Sequence, residues 1–400
     1  MKQNKKIYLV GGAIRDRLMG NSNNDRDFVA VGYTKDDFQD YQLVGKDFPV
    51  FLDKDGNEIA LARIERKISS GYNGFEASIE NVSLEDDLKR RDLTINSIAY
   101  DDELQKYIDP FGGIDDIKNK ILRHTSKAFV EDPIRVLRIA RFKARFTDFT
   151  IAQDTKDLIY SMRDELKYLE SNRVYKEIKK VFEYPNSDIF FKTLLELKVL
   201  DVIFPNLYRL SLYNENNIYH QEENIFIHTM MVLKNLDNSS NLLKFTALFH
   251  DIAKPNAYIK SNFKNASGHD NIDNVIPLID ILLPKKIEKD MLFLIKNHLR
   301  IYMLDKMRAN KIATFFESYN KNKELFLAQI IFAKADNEGR IGIKKENLHK
   351  DKLLQIFDEI SAYSPKKWID ENNITNGKVI KQHIHRVNIN IVKRLFYNHI

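Results

Sequence analysis

A chain of 400 residues is long for a single core, so two to four domains are expected. Hydrophobic residues make up 43% and charged residues 30%, an ordinary balance for a globular protein, and no run of eighteen apolar residues predicts a membrane span. The absence of cysteine excludes disulfides and thiolate metal sites and fits a cytoplasmic location, while the net charge of +6 favours an anionic partner.

The N-terminal "MKQNKKIYLVGGAIRD" is basic and then apolar, as a signal peptide is. Its apolar part is short, however, and Arg15-Asp16 closes it without a small-residue cleavage site. It reads instead as the first strand, Ile7–Val10, broken by Gly11-Gly12. Ala13–Met19 is predicted helical and stops at Gly20. Asn21–Asn24 is a polar turn, and Asp25–Val31 resumes strand character. Alternation in a strand puts Asp25 and Asp27 on one side. Two such carboxylates repel unless a cation lies between them, and oxygen ligands suit Mg²⁺. A glycine turn at a helix N-terminus offers N–H groups to phosphate. Either feature alone is common in plain structure. Their ordered combination predicts a metal–triphosphate site.

Ten of the fourteen glycines and most strand-like runs fall in residues 1–125. "FPVFLDKDGNEIALARIE" predicts a hairpin turning at Asp55-Gly56. "LEDDLKRRDLTINSIAYDD" (84–102) is a candidate amphipathic helix in which Asp92 and Asn96, at i,i+4, share a face. That pair suits ribose hydroxyls and Arg91 suits a phosphate, although a solvated charged face would look the same. In "EDPIRVLRIARFKARF" (131–146), Asp132 is read as N-cap and Pro133 as the first helical residue. Arg135, Arg138, Arg141 and Arg145 then form a basic stripe, opposite an apolar one of Ile134, Leu137, Ala140 and Ala144. Four arginines against one lysine favour guanidinium recognition of phosphates or base edges over generic charge.

Beyond residue 126 the pattern is helical almost to the end, so an α+β head should precede an all-α body. "YPNSD" (184–188) breaks the helices, and "YNENNIYHQEEN" (213–224) reads as a polar linker. His228 lies in an apolar helical run, and the adjacent His250-Asp251 close another. A histidine on an apolar face is usually a satisfied core residue. The doublet strengthens the case for a divalent metal, which imidazole and carboxylate bind together. No internal repeat or low-complexity tract is present.

These segments together resemble the eubacterial tRNA nucleotidyltransferases, the CCA-adding enzymes, in the multifunctional form with an appended HD phosphohydrolase domain. The resemblance extends to about residue 345 and rests on "YLVGGAIRDRLMG", "DRDFVAVG", "VGKDFPVFL", "EIALARIERK", "LEDDLKRRDLTINSIA" and "EDPIRVLRIARF". It implies a nucleotidyltransferase head with a small mixed or antiparallel sheet (1–125), a helical neck and body for nucleotide selection and tRNA binding (126–220), an HD domain (225–340) and a helical tail (341–400). Asp25 and Asp27 match the family's Mg²⁺ ligands. Gly12, Arg15, Arg91, Arg138 and Arg141 match nucleotide contacts. Asp92 with Asn96 matches the ribose motif, and Asp132 with Arg135 matches the pair that reads the base edge. For Asp132 this role competes with the N-cap. His228, His250, Asp251 and Asp336 resemble the HD ligand set for a divalent metal such as Ni²⁺, with His269 and His298 at further active-site positions. The loop "IKSNFKNASG" (259–268) departs from the family's histidine-richer form.

The implied activity is template-independent addition and repair of the 3′-terminal CCA of tRNA from CTP and ATP, by a monomer or homodimer. A second, metal-dependent activity (2′,3′-cyclic phosphodiesterase, 2′-nucleotidase, phosphatase) is implied for the HD domain. The near rival is a bacterial poly(A) polymerase, which shares the head motifs and generally lacks the histidine set. A regulatory or tRNA-binding phosphohydrolase with an inactive head is the alternative from another class; Asp25, Asp27 and Arg15 argue against it.

Overall fold

The computed structural model describes residues 5–21, 26–44, 49–67, 75–78, 81–215, 220–345 and 349–397. Asp25 lies outside them. The chain divides into two compact units, residues 1–205 and 206–400; the expected steps at 125 and 340 fall inside these units.

The first unit opens with β1 (Lys6–Val10), α1 (Gly12–Leu18), β2 (Asp27–Val31), β3 (Gln42–Val44), β4 (Val50–Leu52) and β5 (Glu58–Leu61). A hairpin of β6 (Ile64–Lys67) and β7 (Phe75–Ser78) follows, then α2 (Leu84–Lys89), β8 (Ala99–Asp101) and β9 (Lys106–Ile108). Seven strands form one mixed sheet in the order β3-β4-β5-β2-β1-β8-β9, with the β2–β5 pairing parallel and the others antiparallel. The Asp55-Gly56 turn joins β4 to β5 as the sequence predicts, with Gly56 at φ 82°. Strand alternation sorts the core: Val29 and Val31 pack with Val10, Val82 and Leu88 on one face, and Ala30 with Phe38, Phe51 and Ile59 on the other. Asp27 shares the parity of Val29 and Val31.

The predicted helix over 84–102 is a correction. Ser83 and Asp86 form a capping box that starts α2, but the helix stops at Lys89. Arg90 and Arg91 fold back to bracket the buried Asp87, with Nη2 of each at 2.7 and 3.1 Å from its two oxygens. Residues 94–96 make one 3₁₀ turn, and Ala99–Asp101 leaves helical geometry to pair with β1 and β9. Sheet pairing overrides helix propensity here.

Beyond the sheet lie α3 (Gly113–Lys118), β10 (Ile121–Leu122), α4 (Ile134–Arg145) and β11 (Thr150–Ile151), which pairs with β10. They are followed by α5 (Gln153–Ser161), α6 (Ser171–Val181), α7 (Ser187–Glu196) and α8 (Leu200–Ile203). The predicted break at 184–188 is present, with Asn186 left-handed at φ 65°.

The second unit begins around α9 (Pro205–Arg209), then α10 (Ile225–Asn235), α11 (Asn241–Phe249), α12 (Lys254–Lys260) and α13 (Ile272–Val275). It continues with α14 (Lys285–Asn297), α15 (Ala309–Glu317) and α16 (Lys323–Glu338), and ends with α17 (Lys350–Ala362), α18 (Lys366–Asn372) and α19 (Gly377–Val392). The tail is part of this unit's core: Ile356, Phe357 and Val392 bury against Phe316, Phe326 and Ile330. Among the described residues no helix is long and apolar enough to cross a membrane.

Candidate functional site

Gly11 and Gly12 end β1 and open α1. Because β1 pairs with β2 in a register that sets Val10 opposite Asp27, the glycine turn lies beside the Asp27 carboxylate. Gly11 has φ 74°, and a Cβ there would come within 3.2 Å of Arg91 Nη1 and 3.7 Å of Asp27 Oδ2. The turn, the carboxylate and the guanidinium are therefore in close approach, and glycine is what the backbone permits.

A cleft of about 790 Å³ opens here. Of the residues singled out from the sequence it is lined by Gly12, Arg15, Asp27, Arg91, Asp92, Asn96, Asp132, Arg135, Arg138 and Arg141. Arg15 is buried and reaches Asn96 Oδ1 at 2.6 Å and Asp16 at 2.9 Å; burial lowers its pKa, against the pull of Asp16. Asn96 Nδ2 in turn donates to Asp92 Oδ1 at 3.0 Å, and Arg138 donates to Asp92 Oδ2 at 2.8 Å. Burial alone would raise the Asp92 carboxyl, but Arg138 and Asn96 hold it well below the ordinary value. The ribose-type pair of the sequence thus meets across a 3₁₀ turn rather than on a helix face.

The arginine stripe of α4 faces the cleft and is not a solvated surface. Arg135 and Arg141 are each only 7% exposed. Arg135 Nη1 donates to the Ala128 carbonyl at 2.6 Å, and Arg141 Nε to Glu177 at 2.8 Å. On the same helix Ile134, Leu137, Ala140 and Ala144 are buried, as the apolar stripe requires. The N-cap reading of Asp132 needs correction: α4 starts at Ile134, and Asp132 reaches the Ile134 N–H only at 3.3 Å. Its carboxylate is instead gripped by both Nη atoms of Arg173, at 3.0 and 2.7 Å. A bidentate guanidinium out-competes one backbone N–H for the same oxygens.

Arg90, part of the polar cluster read in residues 84–102, also lines the cleft, whereas the sequence reading missed Arg63 and the helix α6 contribution, Arg173, Lys176, Glu177 and Lys180. The charges of "NRVYKEIKK" recur at i,i+3 and i,i+4, which was the available signal.

The second unit brings His228, His250, Asp251 and Asp336 together, and His269 and His298 beside them. His228 lies within α10 and Asp336 within α16, whereas His250 and His298 cap the C-termini of α11 and α14. Each imidazole is oriented by the same device. Nδ1 of His228, His250, His269 and His298 lies 3.0, 2.8, 2.7 and 2.6 Å from the carbonyls of Gly339, Ala247, Ala266 and Ile295. A carbonyl only accepts, so each Nδ1 is the donor and each ring turns its Nε2 away from that backbone contact.

Those Nε2 atoms converge. His228 and His250 approach to 3.4 Å, as do His269 and His298. His228 Nε2 is 3.1 Å from Asp336, His250 Nε2 is 3.1 Å from Asp251 Oδ2, and His269 Nε2 is 3.2 Å from Asp251 Oδ1. Lone pairs and carboxylates so placed repel one another unless a cation or shared proton lies between them, which is the donor set of a divalent transition metal. Among the described residues three groups can form: His220 with Glu222 and His228, His228 with His250 and Asp251, and Asp251 with His269 and His298; His228 serves the first two and Asp251 the last two. Burial alone would raise Asp251 and Asp336, yet neighbouring imidazoles with Lys254 and Arg340 hold both well below the ordinary carboxylate range.

The polar linker reading of 213–224 is overturned for its described part. His220 and Glu222 are buried beside His228, and Glu215 binds Lys254 at 2.7 Å and Tyr258 at 2.8 Å. Charged residues hidden by a fold look like linker in a one-dimensional reading.

Residues 7–123 match the family model of the poly A polymerase head domain, and residues 148–210 that of the probable RNA and SrmB-binding site of polymerase A. The class is thus that of the nucleotidyltransferases built on this head. The chain is 40% identical over 377 residues to the multifunctional CCA protein of Pasteurella multocida, covering 88% of each. It is 37% identical over 406 residues to that of Legionella pneumophila subsp. pneumophila, covering 98% of each. With these relatives, the chain belongs to the multifunctional CCA proteins, the bacterial CCA-adding enzymes. The fold is shared with the solved Bacillus stearothermophilus CCA-adding enzyme in complex with CTP, at a TM-score of 0.64 and 21% identity, over 98% of this chain and 89% of that one.

Proposed function

We propose that the first unit adds and repairs the CCA end of tRNA from CTP and ATP, and that the observation carrying this is the cleft itself. It sets a glycine turn and a sheet carboxylate against a wall of guanidinium groups. Asp27, with Asp25 as the sequence pairs them, would hold Mg²⁺, which in such sites aligns the attacking and leaving oxygens of phosphoryl transfer. Arg91 and Arg138 neutralise triphosphate charge, with Arg15 and Arg141 beside them. Asp92 and Asn96 accept from and donate to the ribose hydroxyls. Asp132 and Arg135 present an acceptor and donors to a base edge without a template strand. Gly12 offers its N–H at the start of α1. Neck and body residues beyond 126 supply the tRNA surface. The test is incubation with tRNA lacking its 3′ end plus CTP and ATP, followed by sequencing of the products. Defined CCA ends support the reading; long A tails support a poly(A) polymerase instead.

We propose further that the second unit is a metal-dependent phosphohydrolase of the HD type, because four Nδ1-anchored imidazoles aim their free nitrogens at Asp251 and Asp336. His228, His250, Asp251 and Asp336 would hold a divalent ion such as Ni²⁺, with His269 and His298 available for a second. A bound divalent metal lowers the pKa of its water toward neutrality, which supplies a nucleophile. The chain's own part is to orient the rings through backbone carbonyls and to keep both carboxylates ionised. Phosphomonoesters, 2′-phosphates and 2′,3′-cyclic phosphates are the substrate classes to assay.

A further inference from the structure

A cavity of about 520 Å³ adjoins the histidine centre, bordered by Asp251, His269, His298 and Asp336 on one side and by Arg340 and Lys345 on another. Arg340 is 6% exposed. Its Nη2 donates to Asp336 Oδ2 at 3.1 Å, but its Nε is buried with no acceptor among the described residues. A buried guanidinium N–H without a partner is costly unless a ligand supplies one. The segment that follows is fastened in place: Ile341 N–H donates to Glu222 at 2.7 Å, and Asn337 exchanges two hydrogen bonds with the backbone of Lys345, at 2.7 and 3.0 Å. The Lys345 ammonium is thereby held 4.7 Å from the centre of the Tyr302 ring. Burial, with Arg340 nearby, pushes Lys345 down to about 8, as expected of a cation waiting beside another cation. The neighbouring acids are already engaged. Asp336 meets His228 and Arg340, Asp251 meets His250, His269 and Lys254, and Glu215 meets Lys254 and Tyr258.

We propose that Arg340 and Lys345 form a phosphate-binding corner, which takes the non-bridging oxygens of a phosphomonoester presented to the histidine centre. This rests on the phosphohydrolase reading of that centre. A phosphomonoester dianion answers two cations better than a cyclic monoanion does, and it gives the Arg340 Nε its missing acceptor. Because Arg340 touches Asp336 through Nη2, the phosphate it binds is the one adjoining the metal ligands. The corner therefore bears on the reacting group rather than on a remote part of the substrate.

The test uses full-length protein loaded with Mn²⁺ or Ni²⁺ and titrated calorimetrically with inorganic phosphate. The arginine-rich cleft of the first unit is common to every variant, so differences report the second unit. Arg340→Met and Lys345→Met are each expected to weaken one phosphate-binding step by about tenfold or more, the scale of a lost charge-assisted hydrogen bond. Lys345→Arg is expected to restore it. Lys345 touches neither metal-ligand carboxylate, so the Mn²⁺ affinity of Lys345→Met should stay within about twofold, which a merely structural defect would not allow. Phosphate binding as tight in both Met variants as in the wild type would overturn the corner. Turnover of p-nitrophenyl phosphate by the wild type decides the phosphohydrolase reading separately. If that turnover persists while the variants bind phosphate normally, only the corner fails. If turnover is absent while the variants lose phosphate, only the hydrolase reading fails.

Discussion

Gly11 shows how one backbone angle supports the cleft. At φ 74°, with Arg91 Nη1 3.2 Å from where a Cβ would stand, Gly11→Ala meets both conformational strain and a guanidinium that must move. The expected cost is about 1 to 3 kcal/mol in stability, with a larger relative loss of nucleotide addition because Arg91 is displaced. Thermal unfolding and steady-state rates measured on the same preparation check this; a stability loss with full activity would place the turn outside the chemistry. Asp92 carries a pH signature. Its folded pKa is depressed by Arg138 and Asn96, so its contribution is complete above the ordinary value of 3.8 and is lost as pH falls toward the folded value. Asp92→Asn, which cannot titrate, should give a flatter acid-unfolding curve than the wild type below about pH 4. Equal slopes would mean that the pair is not intact in solution.

At the scale of elements, α4 and α6 act together. Helix α4 buries its apolar stripe and turns its arginines to the cleft, while α6 brings the partners that fix them, Glu177 to Arg141 and Arg173 to Asp132. Fixing Asp132 by a bidentate contact orients an acceptor that would otherwise rotate into the weak cap of α4. Arg173→Met should release it and narrow the discrimination between CTP and ATP by about tenfold, the scale of one bidentate base contact, with a smaller change in overall rate. Competition assays with both nucleotides present give the readout. A uniform fall in rate with both nucleotides would assign Arg173 to phosphate instead.

At the scale of the whole molecule, the two candidate sites belong to different compact units and share no residue. Asp27→Ala is expected to abolish nucleotide addition while phosphomonoester hydrolysis continues, and His250→Ala to do the reverse. Both activities are measured on each purified variant, with folding checked by circular dichroism. Loss of nucleotide addition in well-folded His250→Ala protein would sink the two-site arrangement.

Local patterns were enough to determine the elements that depend on near neighbours. The strand–glycine–helix opening, the Asp55-Gly56 hairpin, the arginine stripe and the break at Asn186 each follow from alternation, helical periodicity or a left-handed turn within a few residues. Asp27, the Asp92–Asn96 pair and the arginines of α4 are legible in the same way, whereas Arg15 and the base-edge role of Asp132 and Arg135 come only from the family resemblance. What needed the tertiary structure was everything decided by a distant partner. Sheet pairing to β1 drew Ala99–Asp101 out of a helix, and Arg173, forty-one residues away, took Asp132 from its cap. Backbone carbonyls of separate chain segments turned four histidines toward one another. Glu215, His220 and Glu222 read as polar linker in one dimension, and Arg340 and Lys345 carried no signal there, because burial of a charge depends on which other chain segments surround it, and sequence spacing does not encode that.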